Sequence, residues 1–129
     1  MLSEFVKSAD WKSEKHVPVI ECADTVKAGE PLAITVTVGK EIAHPNTTNH
    51  HIAWIALHFV PAGAKTSIEI TRCEFSAHGA SVEGPDKGPA YTDSTVSIRA
   101  KFAASGTLYA TAYCNIHGLW ASDMAVTLV

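Results

Sequence analysis

The sequence predicts an all-β chain, an immunoglobulin-like β-sandwich of about seven strands. Three observations carry that expectation. Apolar residues recur with period two in several separate segments, the mark of half-buried strands. Glycine and proline punctuate the intervals between those segments. Only residues 3–11 suit a helical turn, and a short one.

In chain order, Val17 to Cys22 is a weak strand candidate. Leu32, Ile34, Val36 and Val38 then alternate cleanly with Ala33, Thr35 and Thr37. His51 to Val60 is apolar on both faces, so it belongs in the middle of a sheet. Ser67 to Phe75 is a second weak candidate. Residues 76–93 carry Gly79, Gly84, Pro85, Gly88 and Pro89, and a connection of that length in a compact domain is usually functional or mobile. A crossover strap or an oligomer contact is the expectation here, ahead of a direct part in a site. Val96, Ile98, Ala100 and Phe102 alternate with Ser97, Arg99 and Lys101. Leu108, Ala110 and Ala112 lead to Cys114 on one face, and Met124, Val126 and Leu128 close the pattern.

Composition narrows the function. The 129 residues suit one domain, residues 1–129, and 47% hydrophobic content is enough for a core. A formal charge of −3 without a basic run argues against nucleic acid or an anionic membrane as partner. The longest apolar run, Ile52 to Leu57, is too short to span a bilayer. Acid and base interleave from Met1 to Lys7, so no signal peptide is expected. Three cysteines cannot all pair, and a reducing cytoplasm is the expected compartment.

The chemistry lies in the histidines. Cys114 and His117 sit at the end of an inward-facing strand, just before Gly118, which permits a tight turn. Upstream are His16, then His44 and His50 around the turn-rich Asn46-Thr47-Thr48-Asn49. Pro45 biases His44 toward an extended backbone. These are four imidazoles and one thiolate. Structural zinc closes at four ligands, so a mixed set of five points to a redox metal with one position open. Glu14 and Lys15 flank His16, and each could reach over such a position. His51 follows His50 and should face the other way along a strand. His58 reads as a core or edge histidine, His78 has no evident partner, and Cys22 and Cys73 read as buried, inert thiols.

Three separated motifs resemble one family. Glu14-Lys15-His16-x-Pro18, His44-Pro45-x4-His50-x-Ile52-x-Trp54 and Cys114-Asn115-x-His117-Gly118 resemble the single-iron superoxide reductases, or neelaredoxins, of the desulfoferrodoxin iron-binding family. The likeness runs from Trp11 to the last strand. It implies iron held by His16, His44, His50 and His117 in one plane, with Cys114 as the axial thiolate. It further implies that Glu14 closes the sixth position after oxidation and that Lys15 attracts superoxide. The implied partners are a small electron donor such as rubredoxin and further copies of the chain, commonly a tetramer. The two-iron relatives carry an N-terminal rubredoxin-like module, whose cysteines this sequence lacks.

Two other chemistries compete. A cupredoxin-like copper electron-transfer protein would use Cys114, His117 and Met124 with an upstream histidine, and would leave His16 unexplained. A Cys–His hydrolase has no use for three further histidines.

Overall fold

A computed structural model describes residues 1–129 and contains eight strands in two sheets. They are β1 (Pro18–Glu21), β2 (Thr25–Val26), β3 (Leu32–Val38), β4 (Ile52–Pro61), β5 (Ile68–Glu74), β6 (Thr95–Ala100), β7 (Gly106–Cys114) and β8 (Gly118–Leu128). One sheet has the order β1-β3-β6, the other β2-β8-β7-β4-β5. Their inner faces meet in one apolar cluster that includes Ile34, Val36, Ile55, Leu57, Leu108 and Val126. Leu57 and Leu108 are fully buried, so truncating either to alanine should cost about 2–5 kcal/mol.

The sandwich agrees with the alternation, and the differences are local. The additional strand, β2, is two residues long and pairs in parallel with Thr127 and Leu128. No periodicity can show in two residues. The last strand begins at Gly118, not Met124, because it forms a hairpin with β7 from Cys114↔Gly118 onward. Its first half, Leu119 to Asp123, does not alternate cleanly, so pattern alone stops short. The N-terminal helical turn shrinks to a 3-10 turn at Leu2–Glu4, and Lys7 then bridges to Trp120 beside β8. Cys22 and Cys73 are half-buried instead of buried, and all three cysteines are free thiols. No helix is long and apolar enough to cross a membrane.

Register explains why distant residues meet. Pro18 pairs with Val38, so the segment before β1 and the loop after β3 lie at the same end. Ile52 pairs with Cys114, and Cys114 with Gly118, so the same loop returns beside the β7–β8 turn. His16, His44, His50, Cys114 and His117 all flank these positions. The sheet pairing therefore gathers five potential donors at one end of the sandwich.

Candidate metal centre

Four of the five expected donors converge directly. One ligand atom each from His16, His50, Cys114 and His117 lies within 4.8 Å of all the others. His16 Nε2 is 3.2 Å from His117 Nδ1, and that atom is 3.2 Å from His50 Nε2. Facing imidazole nitrogens repel through their lone pairs unless a proton or a cation lies between them.

His44 stands outside that 4.8 Å group, yet its ring completes a circuit. Centroid distances run 4.9 Å from His16 to His44, 4.9 Å from His44 to His50, 5.0 Å from His50 to His117 and 4.7 Å from His117 to His16. Four imidazoles in a square around one ion, with metal–nitrogen bonds of about 2.1 Å, would have neighbouring centroids about 4.7 Å apart. His44 Nε2 is also buried without a hydrogen-bond partner, a costly state for a polar atom unless something binds it. The residues thus fit a metal ion with four nitrogen donors and a thiolate.

Each donor is held by its neighbours. Cys114 is fully buried, and its sulfur accepts the backbone N–H of His117 at 3.3 Å. Gly118, at φ +84°, makes the turn between them possible without strain. Glu14 Oε1 accepts the backbone N–H of His16 at 2.9 Å and its Nδ1–H at 2.6 Å. A carboxylate only accepts, so this contact assigns the proton to Nδ1 and leaves Nε2 bare for a metal. His44 Nδ1–H likewise donates to the Pro45 carbonyl at 2.7 Å. His50 N–H donates to the Thr47 hydroxyl, and Asn115 ties the cysteine turn to the same loop through Asn49 and His51.

Electrostatics favour neutral rings at His44 and His50. Burial pushes His44 down to about 4, against the opposing pull of the Pro45 carbonyl. Burial and then His117 lower His50. For Glu14, burial acts upward, but the His16 hydrogen bonds and its nearby charge outweigh it and the net shift is downward. Lys15 is half-buried and makes no ion pair, and its charge lowers both His44 and His50. Together with Ser13, Glu14, His16 and Ile42 it lines an open hollow.

The other sulfur and histidine residues sort themselves. Met124 pairs with Leu108, six residues along β7 from the position of Cys114. At about 3.3 Å per residue that is about 20 Å, too far to share an ion with Cys114. The copper reading fails on this point. His58 lies half-exposed, 3.9 Å from Glu69, and takes no part. His51 turns away from the ring of ligands and stacks at 3.6 Å on His78.

Trp120 and the strap are what sequence reasoning missed. The Trp120 ring stacks on His16 at 5.0 Å, and its indole N–H donates to the His117 carbonyl. Residues 76–93 grip the loop that carries His44 and His50, as Asp86 does through the Thr48 amide. The segment crosses from β5 in one sheet to β6 in the other, and its contacts fall on the loop between His44 and His50. Trp120 follows His117 closely in sequence and could have been suspected. The strap contacts are long-range and leave no local pattern.

The desulfoferrodoxin family profile matches residues 8–123. The chain belongs to that family. It is 52% identical over 127 residues to the neelaredoxin of Megalodesulfovibrio gigas, covering 98% of both chains. It is 48% identical to the superoxide reductase of Pyrococcus furiosus, covering 98% of this chain and 99% of that one. Its fold superposes on the reduced superoxide reductase (neelaredoxin) of Archaeoglobus fulgidus with a TM-score of 0.89 at 51% identity, covering 96% of this chain and 99% of that one.

Proposed function

We propose that this protein is a superoxide reductase of the single-iron type, a single metal-binding domain that takes superoxide, one electron and two protons to hydrogen peroxide. The observation that carries the reading is the circuit of four imidazoles beside a buried thiol, with an unpaired lysine at the rim. We assign His16, His44, His50, His117 and Cys114 as the ligands of one iron ion. Bound iron would supply the reducing electron and a Lewis-acid position for a small anion. Imidazole suits iron, and a thiolate raises the electron density available to it.

The remaining steps belong to the chain. The overall charge is negative and repels superoxide at long range. Lys15 places a positive charge beside the ligands, which can raise encounter rates by roughly tenfold or more at low salt. Glu14 holds the His16 ring with Nε2 inward. Family resemblance gives Glu14 a further role, as a carboxylate that would bind the oxidised metal, and in that role it would first have to leave His16. Protons reach the open hollow from solvent. Trp120 and the Asn115 hydrogen bonds fix the two ligand-bearing turns.

The partner assignments follow from the same chemistry. A reductase needs an electron for every superoxide, so a small redox protein such as rubredoxin is the proposed donor. A homo-oligomer, a tetramer by family resemblance, and a reducing cytoplasm suited to three free thiols complete the assignment. Product stoichiometry tests the activity. With reduced iron-loaded protein in excess, each superoxide should yield one peroxide. A yield of one peroxide per two superoxides would mean dismutation and overturn the reading.

A further inference from the structure

Behind His44 lies a polar cavity of about 100 Å³, lined by His44, Pro45, Asn46, His78, Thr92 and Asp93 among others. It has room for about three waters. Its lining includes the buried apolar Val38 and Ile52, and polar contacts also hold the loop 44–50.

The contacts that do so come from residues 76–93. Asn46 Nδ2 donates to the Thr92 carbonyl at 2.7 Å, and Asn46 Oδ1 meets His78 Nδ1 at 2.8 Å. His78 Nε2 lies 2.6 Å from the Phe75 carbonyl, so this buried ring faces an acceptor at each nitrogen, and the neutral ring donates to one of them at a time. Its face stacks on His51 at 3.6 Å and 5°. Asp86 Oδ1 accepts both the amide of Thr48, at 2.7 Å, and its hydroxyl, at 3.0 Å. The Thr48 hydroxyl also reaches the His78 carbonyl at 3.3 Å.

The strap itself is shaped for this task. Asp86 is the single non-glycine residue at positive φ, +61°, a region where Asp is among the better tolerated residues. That turn aims its carboxylate at Thr48. Gly79, next to His78, is at φ +89°, and a Cβ there would come within 2.5 Å of the Tyr91 hydroxyl. The hairpin-like closure of His78 against Tyr91 thus depends on glycine.

We infer that the strap is the positioning element of the metal loop, with His78 as its keystone residue. His78 touches no ligand. It holds Asn46, two residues after His44, and His51, the residue after His50. This rests on the metal reading of the same site. Removing a group bonded directly to a ligand typically costs 10- to 100-fold in metal affinity, and His78, acting through Asn46 and His51, should fall at the low end of that range.

The test compares four purified variants with wild type. His78→Phe keeps a ring to stack on His51 but removes both ring nitrogens. Thr48→Val keeps the amide contact to Asp86 and removes the hydroxyl contacts. His78→Asn restores a donor toward Asn46. Ser81→Ala changes the same strap where its hydroxyl meets only Glu83 and Gly84. Iron(II) release to a chelator should accelerate about tenfold in His78→Phe and Thr48→Val, recover in part in His78→Asn and stay at the wild-type rate in Ser81→Ala. In metal-free protein, hydrogen exchange at the Thr48 amide should speed up in His78→Phe. Should His78→Phe fail to fold, Thr48→Val carries the comparison. Release at the wild-type rate from both His78→Phe and Thr48→Val, or equal acceleration in Ser81→Ala, overturns the clamp. A wild-type protein that holds no iron at all would instead overturn the metal reading.

Discussion

The two ends of the β7–β8 hairpin each present sulfur, and only one gathers imidazoles around it. At the turn, Cys114 is fully buried, accepts an amide N–H and faces His117 Nδ1 at 3.7 Å. Toward the other end, Met124 Sδ lies 3.6 Å from Cys22 Sγ. There burial, and then Asp24, raise the Cys22 thiol above its usual range and keep it protonated. A thiolate is the competent metal ligand. The contrast teaches that donor type is not enough. Converging imidazole nitrogens and a hydrogen bond to the sulfur distinguish the end at the turn.

The largest expected effect comes from breaking that end. Cys114→Ser should abolish superoxide reduction, even in protein that keeps some iron, because an oxygen donor supplies little of the thiolate's electron density. Near-normal turnover in pulse experiments would remove Cys114 from the centre.

Next come two neighbours in one motif. His16→Ala should lose iron, measured by metal analysis. Glu14→Ala removes the acceptor that fixes the His16 ring, so iron should be retained more weakly, by about tenfold in affinity. Reduction of superoxide should stay fast, and the oxidised spectrum should shift. Equal loss from both variants would make Glu14 indispensable in its own right and point to a proton-delivery role.

How much of this was legible is best seen residue by residue. The alternation from Leu32 to Val38 and from Leu108 to Cys114 announces strands, because a sheet with one buried face imposes period two. The proposed ligand residues could be picked out because metal binding demands specific atoms, and the fold brings those five residues to one end of the sandwich. The two-residue β2 and the first half of β8 were not, since long-range pairing forms them without a local pattern. The same holds for the strap. His78 meets Asn46 across 32 residues of chain, and no spacing rule connects them. The half-burial of Cys22 and Cys73 also escaped, because alternation assigns a face and not a depth.

Lys15 should give a smaller and purely kinetic effect. Lys15→Ala should keep its iron and react with superoxide roughly tenfold more slowly at low salt. The deficit should shrink as salt rises, since screening weakens an exposed charge. Identical salt-dependent rates in both proteins would deny it a steering role. The smallest effect belongs to the other end of the hairpin. Cys22→Ser should leave iron content and rate unchanged and lower stability by about 1 kcal/mol, read by urea unfolding. Iron loss in that variant would erase the contrast between the two ends.

The most direct test of the central claim is the visible absorption spectrum of the oxidised, iron-loaded protein, recorded with iron analysis beside Cys114→Ser. A buried thiolate and four imidazoles around one iron predict one iron per chain and a sulfur-to-iron charge-transfer band that the serine variant lacks. Iron-loaded protein without that band, or with the same band in Cys114→Ser, would contradict it.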